Sequence, residues 1–256
     1  MATFLNYDKP LLCAMIMCDT PDECIRKIKL SISEGADAIG IHLCRIEREY
    51  RTVEQLKRII DSCEGKPVYV TSYRAGKSEG FTDDECVDLL LLALDAGVTL
   101  IDVMGDLYDT PVKPQYELSL EPLAIEKQKS LINEIHRRGG EVIMSCHTGQ
   151  STTVEENMMI AHEQLQRGAD VLKIVSKADS AEEIPSYIES IQRIIKETGK
   201  KLLLLVSGEA KIVRYVGTCF GVCMYLCVAE YGPYDNKSQP LLRDIKCVRD
   251  HLPFNE

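Results

Sequence analysis

Short runs of uninterrupted apolar residues alternate along this chain with longer stretches in which apolar and charged positions recur at helical spacing. Residues 11–17, reading LLCAMIM, are apolar throughout and of strand length. A strand with no polar face belongs in a parallel sheet covered on both sides. Thr20 and Asp22 open the helix that follows; Ile25, Ile28, Leu30 and Ile32 supply its apolar positions, and Gly35 closes it. The alternation then repeats. Strands are expected at residues 38–43, 68–72, 98–104, 141–146, 169–177, 201–206 and 220–228. Helices are expected at residues 53–60, 82–94, 125–138, 154–167, 181–198, 209–216 and 240–251. The segment 105–121 is looser and carries Pro111 and Pro114.

Eight strand-then-helix units with short glycine-marked turns predict an α/β chain forming one (β/α)₈ barrel over residues 1–256. A doubly wound open sheet is the alternative, but no GxGxxG follows the first strand. Composition agrees with a packed globule, since 45% of residues are apolar and charge is spread along the chain. The net charge of −10 opposes long-range attraction to nucleic acid or an anionic membrane, although a local basic pocket can still take an anion. The N-terminal MATFLNYDKP has neither the basic nor the apolar region of a signal peptide, and no apolar run reaches the roughly 18 residues of a membrane span. Eleven cysteines, an odd number set mostly in apolar segments with no CxxC pair, predict reduced thiols and a cytoplasmic protein. Cys219, Cys223 and Cys227 lack the ligand spacing of a zinc site, so no metal is expected.

In a barrel the chemistry lies where the strands end, so the polar residues there matter most. Lys173 interrupts an apolar strand, ADVLKIVSK. Taken singly, it is either a strand-end lysine whose head reaches solvent or a desolvated amine able to attack a carbonyl. His147 leaves the fifth strand in IMSCHTGQ; alone it is a structural or loop histidine, or a proton-transfer group. Arg74 and Glu79, in TSYRAGKSEG, make either an ordinary polar loop or one that clamps an anion and orients a histidine. Arg214, in GEAKIVRY, is a solvated helix arginine or a bidentate carboxylate ligand. His42 ends the second strand and either reaches the cavity to bind substrate or is a core histidine; Arg45 follows, as a further substrate-binding candidate or part of a solvated charged turn. A lysine and a histidine on adjacent barrel strands together indicate Schiff-base chemistry: the amine condenses with a ketone and the histidine moves protons.

These residues carry a resemblance. VIMSCHTGQSTT is similar to the strand-five motif of the type I 3-dehydroquinate dehydratases, VMSxHxFxxTP. GADVLKIVSKADS is similar to their GADxxKIAxxPxS, and the order of the eight units agrees over the whole chain. The resemblance implies a carbon–oxygen lyase of the shikimate pathway, needing no cofactor and acting on a carboxylate-bearing keto substrate, with pairing into homodimers through outer helices. It makes Lys173 the Schiff-base lysine, His147 the acid/base, Arg74 an active-site arginine, Arg214 the carboxylate ligand and Gln239 the glutamine of the closing loop. Four features depart from the family's pattern. Its second-strand ExR falls on Gly40 and His42, or, counted back from Arg45, its acidic position falls on Leu43. The glutamate four residues after the arginine is Ser78, with Glu79 one place late as the candidate support for His147. Val213 replaces a serine, and the loop before Gln239 is longer. A Schiff-base aldolase and a non-catalytic binding barrel are the alternatives.

Overall fold

The computed structural model describes residues 2–109, 116–235 and 237–252; Pro111 and Pro114 fall outside them. Eight parallel strands run in the order β7-β6-β5-β4-β3-β2-β1-β8: β1 Leu11–Ile16, β2 Ala38–His42, β3 Val68–Thr71, β4 Leu100–Met104, β5 Glu141–His147, β6 Val171–Ala178, β7 Lys201–Gly208 and β8 Met224–Cys227. The barrel nearly closes where Cys223 N donates to Leu202 O at 2.8 Å. Around it lie α1 Pro21–Ser33, α2 Val53–Asp61, α3 Asp83–Asp95, α4 Pro122–Arg137, α5 Val154–Arg167, α6 Ile184–Thr198, α7 Val213–Val216 and α8 Leu242–His251. β1 and β4 are buried at every position, as the unbroken apolar runs require.

Local chemistry sets the ends of these elements. Thr82 and Thr153 each accept from the amide three residues on, while Glu85 and Glu156 return the bond, so α3 and α5 begin in reciprocal caps. Gly168 and Gly199 end α5 and α6 in the left-handed region. Two expected elements are shorter than their patterns. The helix expected at 209–216 is regular only over Val213–Val216, because the chain first turns at Gly208 (φ 74°). A Cβ there would lie 2.1 Å from Ala178 O, so only glycine fits. The eighth strand begins at Met224 rather than 220, because Gly217–Phe220 form a 3-10 turn ended by left-handed Gly221.

Cys18, after β1, and Cys24, in α1, are joined by a disulfide, correcting the expectation of reduced thiols throughout. The turn into α1 folds back on itself and brings two cysteines six positions apart to a Cα separation of 5.6 Å. Among the described residues no helix is long and apolar enough to cross a membrane.

Candidate active site

Lys173 lies at the third position of β6, and its side chain enters the barrel interior with only 4% of its surface exposed. A buried ammonium needs a compensating charge and acceptors for its protons. Asp102 on β4 supplies the charge, with Nζ 2.8 Å from Oδ2. Tyr69 on β3 and Tyr73 just beyond it accept the other two bonds, at 2.9 and 2.7 Å. Both phenols in turn donate to Asp102 Oδ2, at 2.5 and 2.9 Å. Burial opposes ionisation of Asp102. The Lys173 charge, with hydrogen bonds from Lys173 and Tyr69, outweighs it and holds the carboxyl below its ordinary range. Burial and the Asp102 charge push both phenols well above theirs, so they stay protonated. The amine is thus desolvated, paired and fixed in place.

His147 closes β5, next to Lys173 in the sheet; Ser145 pairs Lys173 and His147 pairs Val175. Its Nδ1 meets Glu117 Oε2 at 2.5 Å, and the two side chains are 31% and 46% exposed. Burial raises the Glu117 carboxyl, but the hydrogen bond and charge of His147 prevail and hold it below its usual value. An ionised Glu117 orients the imidazole and keeps the proton on Nδ1, which leaves Nε2 for chemistry. The Glu117 loop is itself anchored. Its amide donates to His147 O at 3.1 Å, and Ser119 N donates to Gly105 O at 2.8 Å. Arg167, buried on α5, donates to Ser119 O at 2.5 Å and Gly105 O at 3.1 Å. Tyr73, Arg74, Met104, Asp106, Glu117 and His147 border a cavity of about 530 Å³. The Tyr73 ring meets the His147 ring edge to face, with centroids 5.4 Å apart.

Arg214, at the mouth beyond β7, is 7% exposed and donates from Nε to Val206 O at 2.8 Å. Among the described residues no carboxylate pairs with it, and burial pushes its guanidinium down to about 10. A buried guanidinium without an anion is a site for one. Gln239, in the loop between β8 and α8, is also buried, and its Oε1 finds no partner among the described residues.

A model of the family described as type I 3-dehydroquinase matches residues 12–249. The chain belongs to that family. It is 26% identical over 243 residues to the bifunctional 3-dehydroquinate dehydratase/shikimate dehydrogenase, chloroplastic, of Arabidopsis thaliana, a match covering 92% of this chain and 36% of that protein. It is 33% identical over 97 residues to the 3-dehydroquinate dehydratase of Alkaliphilus oremlandii, covering 36% of this chain and 38% of that one. These matches span little more than a third of either relative. The crystal structure of 3-dehydroquinate dehydratase from Geobacillus kaustophilus shares the fold, with a TM-score of 0.81 over 98% of this chain and 95% of that one at 14% identity.

Several positions of this family member differ from the sequence-based expectation. Glu79 does not support His147: its side chain is exposed beyond β3, and Glu117, from the loop after β4, makes that contact. Ser78 is buried and accepts from Arg51, so it serves the loop's own structure. Arg74 is held by Asp83 and Asp106, which leaves it a wall residue of the cavity. Arg45 stacks on Tyr234, 5.1 Å from the ring centroid, and supports the loop that carries Gln239. His42 bonds Thr71 through Nδ1 at 2.9 Å, while Nε2 is buried without a partner among the described residues. Burial, reinforced by the Lys173 charge, pushes its pKa down to about 3, so it is neutral. At Gly40 a Cβ would sit 2.3 Å from Met15 Sδ and 3.2 Å from a Tyr69 ring carbon. Met15 and Tyr69 therefore fill the space a second-strand acid would take.

Sequence reasoning missed Asp102, Tyr69, Tyr73 and Glu117. Asp102 carried a signal, because an acid inside LIDVM is as costly as a lysine inside VLKIV, and two such groups in one barrel call for each other. The tyrosines sit four apart, Tyr69 on the third strand and Tyr73 just beyond it, so an extended chain carries both on one face. Glu117 carried none, lying in a loop without periodicity.

Proposed function

We propose that this chain is a Schiff-base dehydratase that converts 3-dehydroquinate, or a closely related cyclic hydroxy-keto acid, to the conjugated enone. The observation that carries the reading is the desolvated Lys173 amine, paired with Asp102 and bonded to Tyr73, whose ring meets His147; Tyr73, His147 and Glu117 border one cavity. Family membership and the printed functions of the relatives support it.

Lys173 attacks the ketone, water leaves, and an iminium forms. The iminium withdraws electrons and acidifies the adjacent C–H. His147 Nε2 takes that proton, Glu117 stabilises the resulting imidazolium, and His147 returns the proton to the departing β-hydroxyl. Hydrolysis of the conjugated iminium frees the product and the lysine. Arg214 holds the substrate carboxylate by charge-assisted hydrogen bonds, and Gln239 closes over it. Neutral His42 offers Nε2 to a substrate hydroxyl where the family pattern has a charged reader. Nine of the eleven cysteines are free thiols, the pattern of a reducing, cytoplasmic setting, and the Cys18–Cys24 disulfide is the exception to it.

The test is incubation with 3-dehydroquinate, following the ultraviolet absorbance of the enone. Appearance of product at a rate saturable in substrate supports the reading. Its absence with 3-dehydroquinate and with related cyclic hydroxy-keto acids overturns it.

A further inference from the structure

Iminium formation needs two protons moved from the lysine nitrogen to the carbonyl oxygen. His147 makes no hydrogen bond to Lys173 Nζ among the described residues; its Nδ1 is bound to Glu117 and it stands at the rim. The groups that do touch Nζ are Asp102, Tyr69 and Tyr73. Of these, Asp102 and Tyr69 are essentially fully buried. Tyr73 alone among them also borders the cavity, where its ring meets His147. Its hydroxyl is 2.7 Å from Nζ and 2.9 Å from Asp102 Oδ2. It thus joins the proton source and the proton store to the space a ketone would enter.

We propose that Tyr73 is a catalytic residue of imine formation, the relay that carries both protons to the carbonyl oxygen, with Asp102 holding one in between. This rests on the Schiff-base reading above. First, an ammonium proton passes to Asp102, leaving a neutral amine and a carboxylic acid. The nitrogen lone pair forms the N–C bond as the C=O π pair moves to oxygen. Tyr73 gives its hydroxyl proton to that oxygen and regains one from the now cationic nitrogen, giving a neutral carbinolamine. The nitrogen lone pair then expels the hydroxyl as Tyr73 protonates it, and Asp102 restores the Tyr73 proton. The products are the iminium, one water, the Asp102 carboxylate and an unchanged phenol. Burial keeps the phenol protonated at neutral pH, which suits a relay that must start as a donor. The labour divides cleanly. Tyr73 serves the nitrogen and the carbonyl oxygen, and His147 serves the C–H and the β-hydroxyl.

The experiment is rapid-quench borohydride trapping of 3-dehydroquinate on the intact chain, with adduct on Lys173 measured against time. Tyr73→Phe keeps the ring and loses the relay, so trapping slows by about 10²-fold or more, in the range of a positioned acid/base. Binding of quinate, which has no ketone, changes little and shows that the variant site is intact. Added imidazole buffer partly restores the Tyr73→Phe rate and leaves the unmodified chain unaffected. Tyr69→Phe, which removes a phenol out of contact with the cavity, slows trapping far less. Should Tyr73→Phe fail to fold, Tyr73→Leu also removes the hydroxyl and is read the same way. Trapping by the folded variant at the unmodified rate, or equal slowing by Tyr69→Phe with no imidazole rescue, overturns the relay while leaving the Schiff base standing. Failure of the unmodified chain to trap any adduct overturns the Schiff-base reading itself, and the relay with it.

Discussion

Lys173 and His147 stand on neighbouring strands, yet their carboxylate partners are held in opposite ways. Asp102 comes from the middle of β4, is fully buried, and shares one oxygen among Lys173, Tyr69 and Tyr73. Glu117 comes from a loop, is nearly half exposed, and its carboxylate meets the His147 ring at a single contact. The first partner is fixed by sheet register and cannot drift without breaking the barrel. The second is fixed by backbone bonds to Gly105 and His147, and by the buried Arg167 behind them. Removing Asp102 therefore strikes stability and chemistry together, whereas removing Glu117 strikes chemistry alone. Under the proposed function, the interior cluster makes a reactive amine, and the rim pair moves protons in a place that substrate and water can reach.

That contrast is open to attack at several points. Lys173→Met abolishes turnover and adduct formation outright, since no other group supplies the amine; residual turnover in a steady-state assay contradicts this. His147→Asn lowers kcat by about 10²–10⁴-fold with the fold intact. Glu117→Gln lowers it less, in kcat rather than KM; an unchanged kcat would show that the contact does no catalytic work. Asp102→Asn strands a buried cation and destabilises the chain by about 3–5 kcal/mol, measured by denaturant unfolding. A change as small as that of a surface substitution would show that Lys173 is not charged at rest.

His42 gives a pH-dependent effect. Its folded pKa of about 3 lies below the ordinary 6.5, so the unfolded chain binds the extra proton first. Its contribution to stability is complete above 6.5 and falls by about 1.4 kcal/mol per unit as pH drops toward 3. Unfolding midpoints measured at falling pH follow this slope, and His42→Asn flattens it. Smallest of all is Glu79→Gln, which alters kcat by no more than about twofold because the side chain is exposed and Glu117 makes the contact to His147.

The barrel was legible because its strands are apolar on both faces and its helices carry threonine starts and glycine stops. Residue types that are costly where they stand, Lys173 in a strand and His147 at a strand end, marked the site. The partner of the lysine was within reach of the same argument, since Asp102 is equally out of place in LIDVM. The partner of the histidine was not. Sequence distance hides a contact made by a loop 30 positions away, and the nearby Glu79 drew the inference instead. Arg74 and Arg45 misled for a related reason. A charged residue beside a strand end looks free in sequence, and only the folded chain brings Asp83, Asp106 and Tyr234 against them.

The most direct test of the central claim is chemical. The chain is treated with 3-dehydroquinate, reduced with borohydride, digested and mapped by mass. The account predicts a single added ligand mass on the peptide that contains Lys173, absent from Lys173→Met. A mass shift on a different lysine, or none under conditions where substrate is turned over, contradicts it.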